Sequence, residues 1–494
     1  MQNNLKREPE LSLQGKKVAI IGAGPAGLAC AQSLLEQGFQ VDLFEVNSKV
    51  GGMSRSIEVM GQISDLGPHY FRTSVPMVQE YWERNIATIH KVSNVRQSRI
   101  LYQDKLFSYP LKGFEALFKL GLFESIRCVL SYCKSLTFPR KEKTFEAWVA
   151  NAFGYRLYEI FFKTYSEKLW GVKCSELSDQ FAKERIRSLN LFSAVKNALL
   201  PHKGESKIRS LHSHFNYPQN GTGEVFDKCL QDFLERGGKL FNNHKVVEIL
   251  TSEHKVSGIV VKKVIKANEA HDTNGPLELE EQAQKLPYDY VVSSGVFTDM
   301  VNSIKELPSD TRALTAKLRF RNTLLVFLQI DPSFNELPND HWLYVHSKNV
   351  LSGRMSDAAN WSDALKQGQK EHIIAFEYWA DEKDELWQRS DEQLIAQAQA
   401  DARACGLFDP RAIKEGFVHR LYKSYPMYVG DYAATIKELS ERLDQIEGLY
   451  FIGRNGSFKY NNMDHSIHMG LLAAQKIAGQ YQGSLWDLNF DGAL

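Results

Sequence analysis

What this chain lacks narrows its chemistry first. It has six cysteines, Cys30, Cys128, Cys133, Cys174, Cys229 and Cys405, and none stands in a Cys-x-x-Cys pair or in a Cys/His pattern with metal-ligand spacing. That excludes a zinc ribbon or a disulfide framework. The six are read as reduced core residues of a cytoplasmic protein, and no metal is expected. Neither charge sign dominates: 60 Lys and Arg face 59 Asp and Glu, for a net charge of +1. A strong electrostatic pull toward nucleic acid is therefore absent. Long apolar runs are missing too, since nothing approaches the roughly 18 consecutive apolar residues of a membrane span. The N-terminal stretch "MQNNLKREPELSLQGKK" has no apolar signal core. No internal repeat, heptad run, HExxH pair or Ser/His/Asp constellation is evident.

What is present is the composition of a folded chain, 43% hydrophobic and 24% charged over 494 residues. A single core stops growing at roughly 250 to 300 residues, so more than one lobe is expected. The most apolar region, 113–138, carries its apolar residues at helical spacing and is interrupted by Lys119, Glu124 and Arg127. It reads as helices covering a substrate cavity, with peripheral membrane contact as the alternative.

"KKVAIIG" is a short β-branched run of the kind that forms a buried parallel strand. Gly22, Gly24 and Gly27 follow in "GAGPAG", then an apolar helical pattern, then the strand "QVDLFEV" ending near Glu45. In such a unit the first glycine permits the tight turn, the second lets a pyrophosphate approach the backbone, and the third brings helix and strand together. Pro25 and Ala26 open the helix, whose free N–H groups and partial positive charge suit phosphate. Glu45 stands roughly 20 residues on, where an acid accepts from an adenosine ribose. A second glycine turn, with Gly52, Met53, Ser54 and Arg55, comes directly after. A second backbone approach fits the longer flavin dinucleotide better than a nicotinamide, and Arg55 is placed to reach its phosphates.

With "DLGPHYFRT" (65–73), these motifs resemble the FAD flavoproteins that include amine oxidases, protoporphyrinogen oxidases, phytoene desaturases and UDP-galactopyranose mutases. Four further segments are similar to the mutases: "YQDKLFSYPLKG", "FFKTYSEKLWGVKCSELSDQFAKERI", "YPQNGTGEVFDKCL" and "GRNGSFKYNNMD". The resemblance implies an α/β fold, with a Rossmann-like FAD-binding domain, an α+β substrate domain and a helical insertion. The expected boundaries are 1–75, 216–300 and 441–494 for the FAD domain, 76–215 for the helical insertion and 301–440 for the substrate domain. It also implies non-covalent FAD held by the residues above and by Gly67, Pro68, His69, Val247, Gly453, Arg454, Asn462, Met463, Asp464 and Ser466. Asp464 or Ser466 is expected to cap the last helix.

By the same resemblance, His69, Arg185, Arg354 and Tyr460 are the catalytic candidates, with the two arginines nearest a substrate diphosphate. Tyr165 and Trp170 would line the pocket. The implied activity is flavin chemistry on a nucleotide-linked sugar for surface polysaccharide, with NAD(P)H as a candidate external reductant. Phe458 and Asn461 stand where the mutases carry diphosphate-binding tyrosines. The alternative is a net oxidoreductase that takes hydride from a small or apolar substrate.

Overall fold

The computed structural model describes residues 15–179, 214–266 and 277–488. Its central sheet has five strands in the order Leu449–Phe451, Tyr290–Ser293, Lys17–Ile21, Gln40–Phe44 and Lys239–Phe241, all parallel. Val18, Ala19 and Ile20 are fully buried because helices cover both faces, which is why the run reads as continuously apolar rather than alternating. The helices Pro25–Glu36 and Met463–Ile477 pack against each other over this sheet. Gly470 is needed there: a Cβ on it would lie 2.2 Å from the Ala26 carbonyl oxygen.

A second sheet of seven strands runs Ile413–Pro426, Phe320–Ile330, His372–Ala380, Arg354–Asp357, Trp342–Val345, Ser98–Tyr102, Lys105–Ser108. It is antiparallel except where Trp342–Val345 lies parallel to Ser98–Tyr102. Its long central strands, Phe320–Ile330 and His372–Ala380, are buried along nearly their whole length. Helix Asp391–Ala404 lies against them and starts with a Ser390/Gln393 capping box.

Three expectations need correction. By composition the polar run 266–287 reads as a loop or a mobile hairpin tip, but Glu278–Pro287 forms the third strand of a meander with His244–Ser252 and Lys255–Lys266. As a mostly exposed edge strand it has the polar composition of a loop. Five of the six cysteines are buried, but Cys133 is exposed on a helix. The 113–138 region forms the helices Gly113–Leu120 and Leu122–Thr137, and no residue of either lines the cavity described below.

Candidate active site

A cavity of about 990 Å³ runs along the C-terminal ends of the parallel strands and out against the second sheet. Its inner end is built by glycine. Gly22 (φ +94°) follows the first strand, and a Cβ there would meet the Ser294 hydroxyl at 2.4 Å. Gly27 does not line the cavity. A Cβ on it would sit 1.9 Å from the Gly22 carbonyl oxygen, so its role is close helix–turn packing. The two glycine turns touch: a Cβ on Gly52 would lie 3.1 Å from Gly24 Cα, and Gly51 N–H donates to the Ala23 carbonyl at 2.8 Å. No side chain caps the N-terminus of Pro25–Glu36, which leaves its first-turn donors for a ligand.

Glu45 closes this end. Its carboxylate accepts from Ala23 N–H at 2.7 Å and from Asn47 N–H and Nδ2 at 2.9 Å each. Burial pushes its pKa up, and these bonds with the Arg55 charge oppose that. Arg55 Nη1 donates to the Gly52 carbonyl at 2.9 Å, so it braces the second turn. Met53, Ser54 and Pro68 line the same stretch.

Asp65 organises the crossover to the wider part. Buried beneath the Gly221–Gly223 turn, it accepts from the Ser56 hydroxyl at 2.5 Å, the Tyr217 hydroxyl at 2.7 Å and Thr222 N–H at 3.1 Å. Thr222 in turn donates from Oγ1 to the His69 carbonyl at 3.3 Å. His69 is thereby fixed at the cavity wall. Burial, with Arg454 and Arg354 nearby, lowers its pKa to about 3, so the imidazole is neutral at physiological pH.

Arg354 and Glu377 face one another on paired strands and form a two-pronged ion pair, Nε to Oε1 at 2.8 Å and Nη2 to Oε2 at 2.6 Å. Burial alone would depress the guanidinium, but the Glu377 carboxylate more than reverses that and holds it well above its ordinary value. Gly67 (φ +143°) lies directly against this group. A Cβ on it would be 3.6 Å from Glu377 Oε1, 3.7 Å from Arg354 Nη2 and 3.8 Å from His69 Nε2. It is therefore a spacer behind the wall rather than a lining residue.

An aromatic wall completes the outer part. Tyr70, Tyr109, Trp342, Tyr344, Tyr425 and Tyr428 line it. Tyr425 and Tyr460 stack at 5.3 Å, and the Arg454 guanidinium lies 5.3 Å from both ring centroids while its Nε donates to the Asn461 carbonyl at 2.8 Å. Trp170 is buried behind this wall, edge-on to Tyr425 and Tyr460. Tyr165 stacks on His346 at 5.3 Å. Neither lines the cavity.

Of the candidates from sequence, Gly22, Gly24, Pro25, Ala26, Glu45, Gly52 to Arg55, Pro68, His69, Arg354, Gly453, Arg454, Tyr460 and Asn462 to Asp464 line one cavity, as does Ser466. Val247 does not. On the strand His244–Ser252 it is His244, Lys245 and Val246 that border the cavity, and Val247 falls at an irregularity of the ladder between Val246 and Glu248. Arg185 lies outside the described residues. The last helix is capped by Asn462 through a capping box with His465, not by Asp464 or Ser466. Gly453 (φ +76°) borders the cavity, whereas Gly456 is required by packing, since a Cβ on it would lie 2.5 Å from the Ser293 carbonyl oxygen.

Sequence reasoning missed Glu377 and most of the tyrosines. Glu377, Tyr344 and Tyr425 sit singly on distant strands and Tyr70, Tyr109 and Tyr428 in separate connections, and the sheet register, with Arg354 opposite Glu377, brings the pair together. The adjacent turns, the uncapped helix and two buried atoms at the wall without a partner among the described residues, His69 Nδ1 and Asn455 Oδ1, fit a long cofactor.

The fold and this cavity define a flavin-dependent enzyme: the chain belongs to the flavin containing amine oxidoreductase family, whose model matches residues 25–478. Within that class it is similar to a probable UDP-galactopyranose mutase of Klebsiella pneumoniae, at 28% identity over 33% of this chain and 44% of that protein. It is also similar to protoporphyrinogen oxidase 2 of Arabidopsis thaliana, at 40% identity over 14% of this chain and 13% of that protein. These matches span less than half of the curated relatives' length. Among solved structures, a reduced UDP-galactopyranose mutase superposes with a TM-score of 0.78 at 21% identity, covering 95% of this chain and 96% of that one. A putative protoporphyrinogen oxidase from Exiguobacterium gives 0.67 at 15% identity, covering 95% and 100%. Both establish the fold. Among the described residues no metal-ligand cluster occurs, and no helix is long and apolar enough to cross a membrane.

Proposed function

We propose that the chain is an FAD-dependent enzyme acting on a nucleotide-linked or related sugar, as used in surface polysaccharide assembly. The observation that carries this reading is a largely buried guanidinium, Arg354, in a wall of tyrosines that also holds Arg454. A guanidinium held in plane by Glu377 and surrounded by tyrosines suits a substrate rich in oxygen, such as a diphosphate or a sugar, better than an aliphatic one. Arg185 is the proposed second clamp on the diphosphate, and the expected division into FAD, insertion and substrate segments is retained with it.

FAD would be held by Glu45 at its adenosine ribose, by the first turn of Pro25–Glu36 at its pyrophosphate, by Arg454 at the pyrophosphate or the ribityl chain, and by Met463 and Asp464 at the ring edge. The bound flavin supplies the electron pair for the reaction. The chain's own residues bind, orient and screen: Arg354 and the tyrosine hydroxyls hold the anion, and Glu377 fixes the guanidinium plane. His69, being neutral, adds no charge and offers a hydrogen bond. Phe458 is packed edge-on against Phe320, and Asn461 Nδ2 approaches Met469 Sδ at 3.1 Å. Tyr425 and Tyr344 on other strands, and Tyr428 just past one, line the cavity and would offer the hydroxyls that those two positions lack, which supports a related rather than identical substrate.

The test is a panel of nucleotide sugars added to the purified, chemically reduced protein under anaerobic conditions. A saturable change in the flavin spectrum is expected with at least one sugar, and it should be lost in Arg354→Ala. No spectral change across the panel, with the oxidised flavin instead bleached by an amine, alcohol or polyene, would replace this reading by a net oxidoreductase.

A further inference from the structure

Helices Gly113–Leu120 and Leu122–Thr137 have an inner and an outer face that the sequence periodicity sets. The inner side of the longer helix turns Cys128, fully buried, toward the helices Phe145–Phe153 and Tyr155–Tyr158, and Ala116 anchors the shorter helix. The outer side carries Phe118, 87% exposed, Leu122 at 79% and Phe123 at 77%, followed by Ile126, Leu130 and Leu136. Of the fifteen large apolar side chains exposed among the described residues, nine fall between 114 and 138. Scattered exposure is ordinary; a contiguous apolar patch on two adjoining helices marks a contact surface.

The charges at the rim say what kind of surface it meets. Glu115 is paired with Lys119 at 2.7 Å and Glu124 with Arg127 and Arg156, while Glu142 accepts, among the described residues, only from the neutral Asn151 at 3.1 Å and is the one acid of the region left to offset the lysines of the rim. Lys112, Lys134, Lys141 and Lys143 are exposed and have no carboxylate partner among the described residues. A nearly neutral chain thus gathers uncompensated positive charge around its most apolar face. A two-fold dimer through this face would set the basic rim against itself. Aromatic and leucine side chains projecting from helices with lysines around them match an anionic bilayer, where apolar groups enter the headgroup boundary and lysines meet lipid phosphates. Tyr109, which lines the cavity and packs on Tyr344 at 4.7 Å, is four residues before this helix pair. The cavity rim would therefore lie near the lipid surface.

We propose that the outer face of Gly113–Leu120 and Leu122–Thr137 is a peripheral docking site for an anionic phospholipid bilayer. The experiment floats the full-length, flavin-loaded protein with vesicles of phosphatidylcholine alone and of phosphatidylcholine mixed with phosphatidylglycerol. The expected result is recovery with the anionic vesicles about tenfold above that with neutral ones, reduced by high salt. Phe118→Glu with Phe123→Glu and Leu130→Glu should abolish it. So should Lys134→Glu with Lys141→Glu and Lys143→Glu, which leaves the apolar face intact. Both variants must keep the flavin spectrum and the native circular dichroism, which separates lost docking from misfolding. Failure of the wild type to float, equal recovery with both vesicle types, or no loss in either variant overturns the proposal. A sedimenting dimer that the apolar variant dissociates would also overturn it, in favour of a second copy of the chain.

Discussion

The Arg354–Glu377 pair has consequences out of proportion to two side chains. Its carboxylate is buried and its guanidinium nearly so, and neither is compensated by any other full charge in hydrogen-bond contact. Removing one partner of a buried pair strands the other, which costs about 3 to 5 kcal/mol, whereas replacing both with apolar groups of similar size is often close to neutral. Glu377→Met is therefore expected to lower the denaturant midpoint strongly. The double variant Arg354→Met with Glu377→Met should recover most of that loss while showing no spectral response to any nucleotide sugar. Urea unfolding followed by tryptophan fluorescence, run beside the flavin titration, separates the two effects. If the double variant were as unstable as the single one, the pair would be part of the fold's foundation rather than a charge kept for the ligand.

Elements bring such residues into register, and here the helix Thr164–Trp170 packs against the second sheet, which the insertion also enters directly through Ser98–Tyr102 and Lys105–Ser108. It follows a wide π-helical turn, Glu159–Lys163, a departure from α geometry that often marks functional sites. From this helix Lys168 reaches over the sheet edge, and its Nζ donates to the carbonyls of Val345, Ser347 and Ser352 at 3.1, 2.9 and 3.1 Å. Those three acceptors lie at the end of the strand that carries Tyr344 and in the connection from it to the strand that carries Arg354. Lys168→Met keeps the stem but removes all three donors, and at about 1 kcal/mol or more for each buried bond to a charged group it should destabilise by about 3 kcal/mol. The same change should loosen the connection, so affinity for the spectrally active sugar should also fall. A thermal melt with a parallel flavin titration checks both, and an unchanged melting temperature would show that the carbonyls find other donors. The motif containing Lys168 was legible in the sequence, but its role was not, because the chemistry of a lysine depends on what the distant 345–352 stretch presents to it.

Across the whole molecule, the parts readable in advance were those where one short segment carries its own physics. The glycine turns, Glu45 and the last helix were legible because strand, turn and cap sit within a few dozen residues. Even there, the cap fell on Asn462 and not on Asp464 or Ser466, because the helix starts at Met463 and Asn462 closes a capping box with His465. What could not be read was whatever depended on pairing over hundreds of residues. Glu377, the tyrosine wall and the edge strand Glu278–Pro287 are examples. The five-stranded sheet itself gathers strands from residues 17–44, 239–241, 290–293 and 449–451, so the cavity exists only once all of them have met.

That assembly makes the cofactor a structural tie, and the tie has a directional prediction. A ligand that binds only the folded state stabilises it by about 2.7 kcal/mol at a hundredfold excess over its dissociation constant. If the cavity is made for the full dinucleotide, stripping the flavin should lower the melting temperature, and added FAD should restore it in a concentration-dependent way. FMN, which lacks the adenylate, cannot use Glu45 or the second phosphate position at Pro25–Glu36, so it should restore little at the same concentration. Glu45→Gln keeps the acceptor oxygen but loses the charge that its bonds from Ala23 and Asn47 support. It should shift the FAD response to higher concentration while leaving the weak FMN response unchanged. Differential scanning fluorimetry on the stripped protein reads all three, and equal rescue by FMN and FAD would remove the dinucleotide from this site.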